Sequence, residues 1–164
     1  MNSFQLTSEN EFETISLGKK LSNLILEFNI GNPKIIFLSG ELGTGKTTLS
    51  KGILEGMGYE GLVKSPTFNL VEIYEISDYS VFHFDFFRIV HAKELNEIGI
   101  QEYLTDKKSI SIIEWPERAN SFLPKPDLGI LIEHSNDLNE DARKFTINSN
   151  HDIGILLGQS FEKK

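Results

Sequence analysis

Gly40-Glu41-Leu42-Gly43-Thr44-Gly45-Lys46-Thr47 fits the spacing G-x-x-x-x-G-K-[ST] of a phosphate-binding loop. Its flanks are the ones such a loop requires. Lys34-Ile35-Ile36-Phe37-Leu38-Ser39 reads as a short buried strand, and Lys46 to Met57 reads as a helix. Glycines let backbone N–H groups turn inward around an anion with no Cβ in the way. The N-terminus of the following helix adds positive dipole at the same point. Lys46 is placed to reach the β- and γ-phosphates, and the Thr47 hydroxyl to ligate Mg²⁺. The expected contacts to a nucleoside triphosphate are therefore Glu41, Leu42, Gly43, Thr44, Gly45, Lys46, Thr47 and Thr48.

Working outward, Ser8-Glu9-Asn10-Glu11 has the form of a capping box opening a helix to about Phe28. Leu21, Leu24, Ile25 and Phe28 form one apolar stripe along it, and Gly31-Asn32-Pro33 ends it. Gly58 is the stop for the helix after the loop, and residues 59–66 read as a connection. Phe68 to Ile76 and Ser80 to Phe87 read as strands joined by a turn at Ser77-Asp78-Tyr79. Ala92 to Ile98 reads as a helix closed by Gly99, Ser109 to Trp115 as a buried strand, and Pro116 to Phe122 as a short helix. Leu128 to His134 and Arg143 to Asn148 read as an antiparallel pair across a polar turn at Asp137 to Asp141. The last residues, from about Gly158, read as a loose tail. The expected whole is an α/β P-loop NTPase fold in one domain over residues 1–164. A parallel core sheet carries flanking antiparallel strands and has helices on both faces.

Composition narrows the function. A formal net charge of −8 argues against free-standing nucleic-acid binding, which favours a basic footprint, but leaves room for RNA contact inside an assembly. With no cysteine there is no disulfide and no thiolate metal site. Met1-Asn2-Ser3-Phe4-Gln5 does not have the form of a signal peptide and no apolar run approaches membrane-spanning length, so a cytoplasmic protein without a membrane partner is expected.

A P-loop creates demand for an acid, because one hydroxyl and the phosphates leave positions open on Mg²⁺. Two strand-end carboxylates compete for the role. Glu114 ends the apolar run Ile110-Ser111-Ile112-Ile113, and Asp85 ends the alternating run Val81-Phe82-His83-Phe84. Ser65-Pro66-Thr67-Phe68 is either a Ser-Pro turn entering a strand or a segment that presents Thr67 to a γ-phosphate. His83 shares a strand face with Asp85, so its readings are base or phosphate contacts or a hydrogen-bonded histidine. Phe82, Phe84 and Phe86 occupy the other face and read as core.

In order along the chain, GELGTGKTTL, VKSPTF, VFHFDFFR, an EL with IG shortly after it, and IIEWPER closely resemble the bacterial TsaE (YjeE) family. These are P-loop ATPases of tRNA threonylcarbamoyladenosine biosynthesis. The resemblance runs to about Leu123; Phe87 departs from it by standing where the family usually has tyrosine. It implies ATP and Mg²⁺ as ligands, and weak hydrolysis alone that TsaB and TsaD partners support, with tRNA reached through the complex. By the same resemblance Thr47 and Glu114 match Mg²⁺-ligand positions and Asp85 a functional aspartate near the metal or attacking water. Thr67 matches a switch-like threonine, and Trp115 and Arg88 match signature positions near the site. With Lys46, Asp85 and Thr67 form the expected catalytic set, and Thr47, Glu114 and Asp85 the expected metal set.

Three rivals stand beside this reading. A small-molecule P-loop kinase would clamp phosphate with a lid of several arginines, but only Arg88, Arg118 and Arg143 are present, spread apart. A GTPase would carry an Asn-Lys-x-Asp motif, which is absent. A non-hydrolysing interaction module leaves both acids unexplained.

Overall fold

The computed structural model describes residues 2–28, 34–135 and 139–149. In chain order the elements are β1 (Asn2–Ser8), α1 (Glu11–Phe28), β2 (Lys34–Ser39), α2 (Lys46–Gly56), β3 (Val71–Ile76) and β4 (Tyr79–Asp85). There follow α3 (Glu94–Glu97), α4 (Ile100–Thr105), β5 (Ser109–Glu114), 3-10 turns at Pro116–Arg118 and Asn120–Phe122, β6 (Leu128–His134) and β7 (Arg143–Ser149). One seven-stranded sheet has the order β1-β7-β6-β2-β5-β4-β3. Strands β6, β2, β5 and β4 run parallel; β3 pairs antiparallel with β4 on one side, and on the other β7 pairs antiparallel with β6 and β1 antiparallel with β7. This is the P-loop NTPase arrangement expected from the sequence.

Both faces of the sheet are covered. Leu17, Leu21, Leu24 and Ile25 of α1 and Leu49, Ile53 and Leu54 of α2 bury against Ile36, Leu38, Ile110, Ile112, Ile130 and Phe145. Phe82, Phe84, Phe86 and Ile113 pack the opposite face under Ile89, Leu95, Ile100 and Leu104. The phenylalanine series is core, as its two-residue period requires. α1 lies unusually close to α2, because a Cβ at Gly52 would fall 2.4 Å from the carbonyl oxygen of Ile15.

Several boundaries differ from the sequence reading, each for a local reason. The N-terminal strand β1 was not expected; its alternation Phe4, Gln5, Leu6, Thr7 pairs it with β7, with Phe4 and Leu6 against the core. The cap of α1 is shifted by two residues. Asn10 Oδ1 accepts the N–H of Glu13, and Glu13 Oε2 accepts the N–H of Glu9, so Ser8 is left to bond Thr14 Oγ1. Gly58 (φ +100°) does close α2, with Tyr59 N–H donating to Leu54 O and Gly58 N–H to Glu55 O. β3 starts at Val71 and not at Phe68, because Leu70 has φ +64° and donates its N–H to Pro66 O. β4 ends at Asp85 and not at Phe87, because the Asp85 carboxylate takes the Phe87 N–H at 2.9 Å. The helix expected over Ala92–Ile98 is the single turn α3; a positive φ at Gly99 then starts α4, which was not expected. The stop at Gly31-Asn32-Pro33, part of the turn at Asp137–Asp141 and the tail from Gly158 lie outside the described residues.

The carboxyl ends of β2, β4 and β5 lie side by side, with Leu38 opposite Glu114 and Glu114 opposite Asp85. In an open parallel sheet this edge is where ligands bind. The loop Gly40–Thr47 and both acids meet there.

Candidate functional site

The loop is built by three glycines with positive φ: Gly40 at +140°, Gly43 at +79° and Gly45 at +96°. At Gly40 a Cβ would also fall 2.2 Å from the carbonyl oxygen of Ile132, so only glycine fits. Gly45 is the N-cap of α2 and offers no side-chain acceptor. The first N–H groups of the helix therefore keep no capping partner of their own and face the loop, which is the arrangement that receives an anion.

Beneath the loop the Thr47 hydroxyl lies 3.0 and 3.1 Å from the two carboxylate oxygens of Glu114. Glu114 is 2% exposed and also takes Ser50 Oγ at 3.4 Å and His83 Nε2 at 2.7 Å. Such donors satisfy a buried carboxylate, and the positive charge of Lys46 stands near it. The lysine Nζ donates to Gly40 O and Glu41 O, both at 2.7 Å, and sits 3.9 Å from the ring centroid of Trp115. Burial lowers the Lys46 pKa from its ordinary value, while Glu114, Glu117 and Asp85 pull it back up.

Trp115 reaches this place through an uncommon backbone. β5 ends at Glu114, and Trp115 has φ +58° and ψ 47°, a left-handed conformation that costs a bulky residue about 1–2 kcal/mol. Strand alternation would have sent its ring to the face opposite Glu114; the left-handed turn brings it into the cleft, against Phe87 at 5.0 Å.

Asp85 closes the other side. Its Oδ1 accepts Phe87 N–H, and its Oδ2 accepts Ser65 Oγ at 2.8 Å and Thr67 Oγ1 at 2.6 Å. The segment 65–67 is thereby tied to the end of β4. Together Thr47, Thr67, Asp85, Glu114, Lys46 and Trp115 line a cleft of about 380 Å³, with Leu42, Gly43, Gly45 and Thr48 on its loop side.

Of the residues expected to bind nucleotide, hold metal or catalyse, two fall outside this cleft's lining. The Glu41 side chain is exposed, and its carbonyl receives Lys46 Nζ and Thr44 Oγ1. Thr44 faces a second cleft of about 400 Å³, which shares Gly43, Gly45 and Thr48 with the first and is bounded by Asn10, Phe12, Asp141 and Arg143. No motif pointed to those four, which come from the two ends of the chain and meet only through the β1–β7 pairing. Ser65 was in view only as part of the Ser-Pro segment. The arginines form no lid among the described residues. Arg88 lies over the Phe68 ring at 4.1 Å, Arg118 is exposed, and Arg143 donates to the carbonyl of Thr44 at 3.1 Å.

The donor set suits one small hard cation in company with phosphate oxygens. Thr47 and Glu114 present adjacent oxygens at the cleft, and among the described residues no group of three acidic or histidine side chains forms a cage that could hold a metal by itself.

Residues 8–145 match the protein family described as threonylcarbamoyl adenosine biosynthesis protein TsaE. The chain belongs to the TsaE family. Among its relatives, the tRNA threonylcarbamoyladenosine biosynthesis protein TsaE of Haemophilus influenzae is 36% identical, over 93% of each chain. The Bacillus subtilis protein of the same name is 33% identical over 68% of this chain and 67% of its own. Among solved structures, that of Bacillus subtilis YdiB superposes with a TM-score of 0.75 at 24% identity, covering 98% of this chain and 95% of the other, which establishes the shared fold. For this TsaE family member the five motifs quoted above fall on the loop, the 65–67 segment, the ends of β4 and β5, and α3 with Gly99.

Proposed function

We propose that this chain is an Mg²⁺-dependent ATPase that supports tRNA threonylcarbamoyladenosine modification together with TsaB and TsaD homologues, hydrolysing ATP to drive or reset the complex. It works as a single domain in the cytoplasm and reaches tRNA only through its partners. The observation that carries the reading is the contact of Thr47 Oγ1 with both oxygens of Glu114 directly beneath an uncapped helix N-terminus.

The phosphates lie in the loop, against the backbone N–H groups of Gly43 to Thr48 and the Lys46 ammonium. Base and ribose extend into the second cleft, between Phe12, Asn10, Asp141 and Arg143. Thr47 and Glu114 would hold Mg²⁺, whose charge would offset that of the phosphates. Lys46 opposes the charge that develops on the transferred phosphoryl group. Asp85 and Thr67, joined at 2.6 Å, orient the attacking water from the far side of the cleft. Asp85 also stands as a further ligand to the ion, and the substitutions described in the Discussion separate its two roles.

The test is ATP turnover by the protein alone, then with TsaB and TsaD homologues and tRNA, then with small-molecule phosphoryl acceptors. Slow turnover that rises with the partners supports the proposal. Phosphate transfer to an acceptor without partners replaces it with a kinase, and calorimetry showing no Mg-ATP binding at about millimolar concentration removes it.

A further inference from the structure

Among the described residues, His83 is the one wholly buried titratable side chain in the sheet that the mechanism above does not use. It sits in the middle of β4, 0% exposed, on the same face as Asp85 and Val81. In the ladder His83 is opposite Ile112, so its ring reaches one side-chain repeat along β5 to meet Glu114. Its Nε2 is 2.7 Å from Glu114 Oε1. Its Nδ1 is buried and has no hydrogen-bond partner among the described residues.

That asymmetry settles the tautomer. An unprotonated Nε2 would set two acceptor lone pairs against each other at hydrogen-bond distance. A proton on Nδ1 would be a buried donor with nothing to receive it, which costs more than a buried lone pair. Nε2 therefore carries the proton and donates it to Glu114.

A core position among aliphatic side chains has no packing need for an imidazole, and an apolar residue of like volume would satisfy the sheet at lower desolvation cost. What the imidazole adds is an angle. The terminal torsion of a glutamate is broad, so its two oxygens are not fixed by rotamer preference. Thr47 touches both oxygens and does not choose between rotations of the carboxylate. His83 binds Oε1 only, at 2.7 Å from a wholly buried ring, and with the longer 3.4 Å contact of Ser50 Oγ to the same atom it turns Oε1 inward and Oε2 toward the cleft.

We propose that His83 is a positioning residue that holds the Glu114 carboxylate in its cation-binding orientation. The proposal rests on the Mg-ATP reading of the site. Partners of this kind behind a metal ligand change metal affinity or activity by about 10–100-fold when removed.

The test compares His83→Leu, which removes the donor, with His83→Gln, whose amide nitrogen can stand where Nε2 stands. Mn²⁺ serves as a paramagnetic substitute for Mg²⁺, and its affinity for the ATP-bound protein is read by electron paramagnetic resonance. ATP affinity in EDTA is read separately, and thermal unfolding in the absence of nucleotide shows that each variant is folded. The expected result is Mn²⁺ affinity about 10–100-fold weaker in His83→Leu, ATP affinity in EDTA unchanged within about twofold, and recovery of most of the Mn²⁺ affinity in His83→Gln. A purely structural role would weaken both affinities together or neither. Unchanged Mn²⁺ affinity in a folded His83→Leu protein, or a glutamine variant as weak as the leucine variant, overturns the proposal. A wild-type protein that binds no ATP at all overturns the ATPase reading instead. Should the leucine variant not fold, imidazole ¹⁵N spectra of the unmodified protein decide. A proton on Nε2 whose nitrogen signal moves with Mg-ATP but not with ATP in EDTA supports the role, and a proton on Nδ1 or a signal indifferent to the cation refutes it.

Discussion

Lys46→Ala separates the chemistry of the site from the stability of the fold. The side chain is 5% exposed, and its ammonium is held by two carbonyls and the Trp115 ring. Removing one preorganised donor to a developing oxyanion costs about 2.7–4 kcal/mol, or 10²–10³ in rate. Turnover with partners present should fall by at least that factor. Stability should move far less. The lost charge-assisted hydrogen bonds contribute about 1.5–3 kcal/mol each. Against them stand the desolvation of the ammonium, which already lowers its pKa, and the ordering of a long side chain. Glu41 O keeps the Thr44 hydroxyl, and Gly40 is only half-buried, so water can take its carbonyl. The net change should stay within about 1 kcal/mol, a shift of about 2–4 °C in Tm for a chain of this size. The pH dependence has a definite sign. A lysine whose folded pKa is lowered costs stability while it is charged in the folded state, and the cost fades as pH rises through the folded pKa toward 10.5. The alanine variant should therefore compare best with wild type near neutral pH and lose ground as pH rises toward 10.5. Phosphate release and scanning fluorimetry measure the two quantities. Turnover within about twofold of wild type, with an unchanged Tm, would falsify the active-site assignment. A collapse of both activity and folding would make Lys46 a structural residue.

Glu114→Gln should raise the Mg²⁺ requirement, whereas Asp85→Asn should cut the rate at saturating Mg²⁺; normal ATP hydrolysis by both variants with partners present would remove them from the mechanism. Trp115 is the only tryptophan and lies on Lys46, so its emission should change saturably with Mg-ATP, weakly with GTP, and little in Lys46→Ala. An equal response to GTP and ATP would refute the adenine preference. Gly52→Ala gains about 1 kcal/mol of helix propensity but drives a methyl group into the Ile15 carbonyl, an overpacking of about 1–3 kcal/mol. A net loss of up to about 2 kcal/mol in denaturant unfolding is expected, and a gain would show that α1 can move away from α2 at no cost.

The elements that carry strong local rules were legible. The loop, β2, α2 and β5 follow from the motif and from apolar runs, and Gly58 closes α2 as its residue type demands. What failed to show did so for physical reasons. β1 gives no clear strand signal because Phe4 and Leu6 are only two apolar positions, and its strand state depends on pairing with β7 near the other end of the described residues. The start of α1 offered two acceptors within three residues, and tertiary contact of Ser8 with Thr14 chose Asn10. Asp85 ended β4 two residues early by taking a backbone N–H, a competition that propensity does not weigh. The face of Trp115 depended on a left-handed residue, which no pattern in IIEWPER announces. The second cleft was invisible because Asn10 and Arg143 become neighbours only through the sheet.

Glu114 and Asp85 seemed interchangeable in sequence, each an acid ending a strand, and the ladder even places them opposite one another. Their hydrogen-bond donors make them different. Glu114 is held by Thr47 and Ser50 of α2 and by His83, all on packed elements of the fold. Asp85 is held by Ser65 and Thr67, which lie in an exposed connection, and by the turn at Phe87. A group that must present fixed oxygens to a cation belongs on the rigid set. A group whose work depends on whether a loop is in place belongs on the other. Under the proposed ATPase reading, the same geometry offers a way to make hydrolysis conditional on a partner. A contact that shifts residues 65–67 would act on Asp85 through two hydroxyl bonds of 2.8 and 2.6 Å, whereas Glu114 takes its hydrogen bonds from Thr47, Ser50 and His83. Nucleotide binding and turnover then answer to different parts of the site, and the two acid substitutions should separate them.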